Sequence, residues 1–196
     1  VMGLAPYGKP KYVDNIKELI HIKDDGTFRL NMKHFCFDYG MRMYKPSFEQ
    51  VMGEPTRPLD DPELGLFHKD VARSLQVVLN EVMCKLATHL VERTGLPKLC
   101  MAGGVALNCV ANGHILRDTP VEDIFVQPAA GDNGGALGAA LWLWHEVLGK
   151  PRHWTMSSPY LGPEYTETQI QETLDRYGAV YKRKENEDLL DDVSEL

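Results

Sequence analysis

Residues 98–148 read KLCMAGGVALNCVANGHILRDTPVEDIFVQPAAGDNGGALGAALWLWHEVL, and they run through strand, glycine loop and helix twice. KLCMA (Lys98 to Ala102) is a short apolar run, GGVALN (Gly103 to Asn108) a loop and CVANGHILRD a helical stretch. DIFVQ (Asp123 to Gln127) is the second strand, PAAGD the second loop, and Asn133 to Leu148 the second helix, stopped by Gly149 and Pro151. Two strands joined by a helix of this length imply a right-handed crossover and hence parallel pairing. Both glycine loops then open at one carboxyl edge of one sheet, where ligands bind in open α/β folds. The pattern predicts an α/β fold.

Outward from this pair the signals are simpler. Val71, Leu75, Val78, Leu79, Val82, Met83, Leu86 and Leu90 recur at spacings of three and four. They predict a helix with one apolar face, ended by Gly95 and Pro97 and packed on the sheet. LIHIKDDGTFRLN alternates apolar and polar residues across Asp25-Gly26 and predicts a β-hairpin, since both residue types tolerate the positive φ of a tight turn. Val13 to Leu19 predicts a short helix, VMGLAPYGKPKY a loop, and Lys33 to Glu63 an irregular aromatic segment with one short helix and prolines at 55, 58 and 62. Pro151 to Pro163 reads as a linker, and Thr166 as the N-cap of a helix carrying Ile170 and Leu174 and stopping at Gly178. The charge-rich KRKENEDLLDDVSEL reads as the start of a second domain.

The two loops carry the chemistry. At Gly103 and Gly104 a ligand can approach backbone without meeting a Cβ atom, and the following helix offers N–H groups and a positive dipole end. The Asn108 amide both donates and accepts, which suits a ribose or base edge; the competing role for the glycines is tight packing of helix on strand. Asp132 falls where an N-cap belongs, a role worth about 1 kcal/mol. Alternatively, it holds a divalent cation beside ligand phosphates, with Ala130, Gly131, Gly134 and Gly135 leaving room. Spacing alone leaves these two roles level. No GxxxxGK[ST], GxGxxG or GxSxG motif occurs, which argues against P-loop, dinucleotide and nucleophile-elbow enzymes. The seven histidines never fall at i and i+4, so no helical imidazole pair can grip a metal.

Composition bounds the remaining classes. At 196 residues, 43% hydrophobic and 25% charged, the chain has a globular balance and length for one domain or one and a half. A net charge of −7 argues against nucleic acid or an anionic membrane as the main partner, since both need a basic face. No apolar run is long enough to span a membrane. Cys36, Cys84, Cys100 and Cys109 form no CxxC pair, and two lie in apolar runs, which fits the reducing cytoplasm.

VMGLAPYGKP, AGGVALNCVANGHIL, QPAAGDNGGALGAAL and SPYLGPEYT, in this order and at these separations, closely resemble the O-carbamoyltransferase family of nodulation-factor and antibiotic biosynthesis. GGVALN and DNG also look like motifs of the related ATPases that make threonylcarbamoyladenosine in tRNA. The resemblance implies an actin-like (sugar-kinase and heat-shock ATPase, ribonuclease-H-like) half-domain over residues 1–157, and the start of a carbamoyladenylate-forming domain over 158–196. It implies carbamoyl phosphate and ATP as substrates, carbamoyladenylate as intermediate, and a hydroxyl of a sugar or antibiotic-like metabolite as acceptor. Gly103, Gly104 and Asn108 would line the adenosine; Gly131, Asn133 and Gly134 would shape the phosphate side; Asp132 would ligate a metal, typically iron(II). The family's HxxxH ligands are absent here. The chain is therefore expected to be the second half of the domain and inactive alone, with no catalytic base assignable and a homodimer left open. Tyr7 and Lys9 are candidate acceptor contacts, against a purely connecting role for their loop. A non-catalytic nucleotide-binding module and a kinase of the same superfamily stand as alternatives.

Overall fold

The computed structural model describes residues 1–58 and 63–195. It divides into two compact units, Val1–His153 and Trp154–Leu196.

The first unit opens with a 3₁₀ turn at Ala5–Tyr7, helix α1 (Val13–Leu19), and the antiparallel strands β1 (Ile20–Ile22) and β2 (Phe28–Leu30). The hairpin is real, but its turn differs from the expectation. Lys23 N–H donates to Thr27 O beyond the Ile22–Phe28 pair, and Gly26 N–H donates to Lys23 O, so the loop holds the three residues 24–26 with only Gly26 at positive φ. Asp25 stays at negative φ and uses its carboxylate instead, accepting from the backbone and hydroxyl of Thr27. Helix α2 (Pro46–Met52) is the one short helix among the described residues of the aromatic segment, which a bridge between Phe35 and Tyr44 closes. Residues 59–62 of that segment, Pro62 included, lie outside the described residues.

Helix α3 (Leu66–Thr94) is the spine of the unit, ending where Gly95 turns left-handed and donates to Val91 O. Its first half packs Val78 with Ile16, Leu19 and Met52; its second half packs Ala87 with Ile115 and Val121 over Leu99, Met101 and Ile124. The face it buries is less apolar than the heptad-like spacing suggests. Leu75 and Leu90 are exposed, whereas Asp70, Ser74 and Gln76 are buried. Polar partners described below explain the exchange, because a buried polar side chain is tolerated once its hydrogen bonds are met.

Strand β3 (Lys98–Met101), a 3₁₀ turn (Gly104–Leu107), helix α4 (Cys109–Asp118), strand β4 (Asp123–Val126) and helix α5 (Gly134–Trp142) follow in the predicted order. β3 and β4 pair in parallel, Lys98 opposite Asp123 through Met101 opposite Val126. Leu99, Met101 and Ile124 face α3 and α4, while Cys100 and Phe125 on the other face are exposed. α5 runs on into one π-helical turn, Leu143–Val147. Neither of these two helical segments buries any residue: Trp142 is 62% and Trp144 51% exposed. No helix among the described residues is long and apolar enough to cross a membrane, and all four cysteines are free.

The second unit holds α6 (Glu167–Arg176) and α7 (Asn186–Ser194). Thr166 caps α6 as expected, in a reciprocal box with Gln169, and Gly178 follows at φ +62°.

Candidate functional site

The two glycine loops meet. Gly103 N–H donates to Ala130 O at 2.7 Å, which ties the turn after β3 to the turn after β4 at the carboxyl edge of the sheet. Gly103 sits at φ +94°, a conformation L side chains rarely adopt. A Cβ added at Gly104 or Gly135 would meet nothing within 4 Å. Tight packing therefore does not explain those two glycines, and the packing role read for the first loop is not what the structure shows at Gly104. Gly134 is different, since a Cβ there would collide with the Ala129 carbonyl oxygen. At Gly131 the nearest atom would be Asn133 Oδ1 at 3.6 Å, an ordinary contact.

The first loop is bolted down. Asn108 Oδ1 accepts from Ala111 N–H at 3.0 Å and so caps α4. The same amide pairs reciprocally with Gln76 of α3: Gln76 Nε2 donates to Asn108 Oδ1 at 3.1 Å and Asn108 Nδ2 to Gln76 Oε1 at 2.9 Å. Gln76 is 0% exposed, and its second N–H goes to Asn80 Oδ1 at 2.7 Å. Asn112 Nδ2 donates to Ala106 O, pinning the 3₁₀ turn from the other side.

The second loop has no such support. α5 begins at Gly134 with Asn133 at the N-cap, and no side chain caps it. This corrects the capping role read for Asp132: the helix starts one residue later than that role requires, and the carboxylate accepts none of the first-turn N–H groups it would satisfy. Asp132 is exposed, and its carboxylate has no hydrogen-bond or ion-pair partner among the described residues. Beneath the loop, the buried Gln127 Oε1 also lacks a partner.

A third segment, VMGLAPYGKPKY, is clamped to the start of α3. Asp70, 4% exposed, accepts from Lys9 N–H at 2.7 Å and pairs with the Lys11 ammonium at 2.7 Å; Ser74 Oγ accepts from Tyr12 N–H and donates to Asp70 O. The Lys11 ammonium, then the Lys9 N–H, hold the Asp70 carboxyl below its usual range. A Cβ on Gly8 would strike the Lys69 carbonyl, so this glycine lets the loop lie against the helix. Lys9 and Tyr12 contribute backbone N–H groups and Lys11 its ammonium, while Tyr7 remains exposed. Asp70, Ser74 and Gln76 were invisible as site-shaping residues in the sequence, because their partners lie 32 to 62 positions away.

Among the described residues no group of three or more His, Cys, Asp or Glu could hold a metal. Asp132, a carboxylate unpaired among the described residues and set beside small residues, has the chemistry of one metal ligand.

Comparison with known proteins decides the family. Residues 1–141 match the model described as carbamoyltransferase N-terminus. The chain belongs to the carbamoyltransferase family. Nodulation protein NolO of Bradyrhizobium diazoefficiens is 36% identical over 174 residues, covering 88% of this chain and 29% of that protein. NolNO of Sinorhizobium fredii is 34% identical over 180 residues, 91% of this chain and 25% of its own length. An uncharacterized Synechocystis protein, sll1178, is 45% identical over 203 residues, with 100% of this chain and 33% of that protein covered. The chain thus spans a quarter to a third of the length of these relatives. The match supports the resemblance to O-carbamoyltransferases carried by the four motifs.

Proposed function

We propose that this chain supplies the nucleotide and metal side of an ATP-dependent O-carbamoyltransferase, which moves a carbamoyl group from carbamoyl phosphate through carbamoyladenylate to a hydroxyl. The observation that carries the reading is the junction of two dissimilar glycine loops in a chain of the carbamoyltransferase family. The capped, amide-locked first loop suits recognition of a neutral adenosine, with Gly103 and Gly104 giving close approach and Asn108 a polar contact. Where the second loop turns into α5, an uncapped helix start suits phosphate, with Gly131, Asn133 and Gly134 shaping its approach. Asp132 would hold a divalent metal, iron(II) by the family resemblance, together with ligands from other polypeptide. That metal would offset charge growing on the adenylate phosphate, whose departure makes AMP the leaving group. The actin-like architecture and the division of labour with a second, adenylate-forming domain belong to the same proposal.

The test is to incubate the intact protein with carbamoyl phosphate, ATP and iron(II) and resolve the adenine nucleotides by chromatography. AMP and pyrophosphate formed only with carbamoyl phosphate are the expected products. ADP would assign a kinase instead, and bound nucleotide without turnover a binding module.

A further inference from the structure

Asn108 offers a ligand less than its side chain suggests. Its Oδ1 has room for two hydrogen bonds, and the structure fills both, from Ala111 N–H and Gln76 Nε2. Of its two N–H bonds, one is spent on Gln76 Oε1. One N–H is left, with no partner among the described residues, on a half-buried side chain at the loop edge.

The polarity of this network follows from a donor that cannot be reversed. Ala111 N–H is backbone, so the Asn108 atom it meets must be the oxygen. The Gln76 atom facing that oxygen must then be nitrogen, and its second hydrogen finds Asn80 Oδ1. A flip of Asn108 or Gln76 would set oxygen against oxygen, and a flip of Asn80 nitrogen against nitrogen, in a site where Gln76 is fully buried, an expensive arrangement.

We propose that Gln76, outside both loops, is a positioning residue that locks Asn108 as a pure hydrogen-bond donor, so the ligand atom it meets must be an acceptor such as a ribose oxygen or an unprotonated ring nitrogen. This rests on the reading of Asn108 as a nucleotide contact. Gln76 itself need not touch the ligand.

The experiment is titration calorimetry of AMP into the intact protein, in a cycle of Gln76→Met, Asn108→Ala and the double variant, with thermal midpoints measured alongside. One net hydrogen bond is worth about 0.5–1.5 kcal/mol, so each single variant should lose roughly 2- to 12-fold in affinity. The double variant should lose no more than Asn108→Ala alone. A merely structural Gln76 would lower the midpoint without that coupling. Unchanged affinity in Gln76→Met, or additive losses, overturns the inference and leaves the nucleotide reading standing. A native protein that binds no AMP and no ATP overturns both. Should Gln76→Met fail to fold, the half-buried Asn80→Ala takes its place, expected to weaken AMP binding in the native background but not in Asn108→Ala; equal affinity in both overturns the proposal.

Discussion

The two βα units of this chain share a pattern of strand, small-residue loop and helix, yet they are held in opposite ways. In the first, Gln76, Asn80 and Asn112 hold Asn108 and the 3₁₀ turn, and α4 buries Ala111 and Ile115 against α3. In the second, α5 has no side-chain cap and no buried residue, and neither the Asp132 carboxylate nor Gln127 Oε1 has a partner among the described residues. Similar strings of glycines therefore do different things. The first loop has its amides tied to other parts of the chain, with one Asn108 N–H left over; the second leaves Asp132 and Gln127 Oε1 without partners among the described residues.

The comparison breaks most sharply at Asp132. If Asp132 holds the proposed metal, Asp132→Asn should abolish metal-dependent carbamoyl transfer in the intact protein while leaving its thermal midpoint unmoved, since the native carboxylate has no partner among the described residues to lose. A fully active variant would strip the second loop of its assigned chemistry. Next in size is Gly134→Ala, whose Cβ collides with the Ala129 carbonyl; overpacking of this kind costs about 1–3 kcal/mol, read as a lowered midpoint in thermal unfolding. An unchanged midpoint would mean that the loop is free to shift.

Asp70→Asn probes the clamp on the opening loop, and here pH gives the sharper reading. The folded carboxyl lies below its ordinary value of 3.8, held there by Lys11 and then Lys9 N–H, so its contribution is complete above that value and fades as pH falls through the depressed one. The gap in stability between native protein and Asp70→Asn should be largest near neutrality and close in acid, measured as unfolding midpoints across pH. A gap that persisted or widened in acid would assign the effect to shape rather than charge. The smallest effect belongs to Gly135→Ala. With nothing within 4 Å of the new methyl, stability should hold or rise by roughly 0.5 kcal/mol from helix propensity, while nucleotide affinity falls if phosphate passes over that backbone.

Much of this was legible in the chain. The order of elements from β3 to α5, the parallel pairing, the ends of α1 and α4 and the Thr166 cap were readable because each depends on residues within one turn or one strand of itself. The hairpin was legible to its strands but not to its loop, since Asp25 satisfied its carboxylate locally and left the positive φ to Gly26 alone.

The family was written in the sequence, in four motifs whose order needs no coordinates. What tertiary structure alone decided is which atoms in those motifs are still free. Asn108 looked able to donate and accept until Gln76, 32 residues away, took its acceptor, and capping stood level with metal binding for Asp132 until α5 began one residue on. The reason is physical: a motif fixes which groups are present, but how many hydrogen bonds each has left depends on partners brought by folding from elsewhere in the chain.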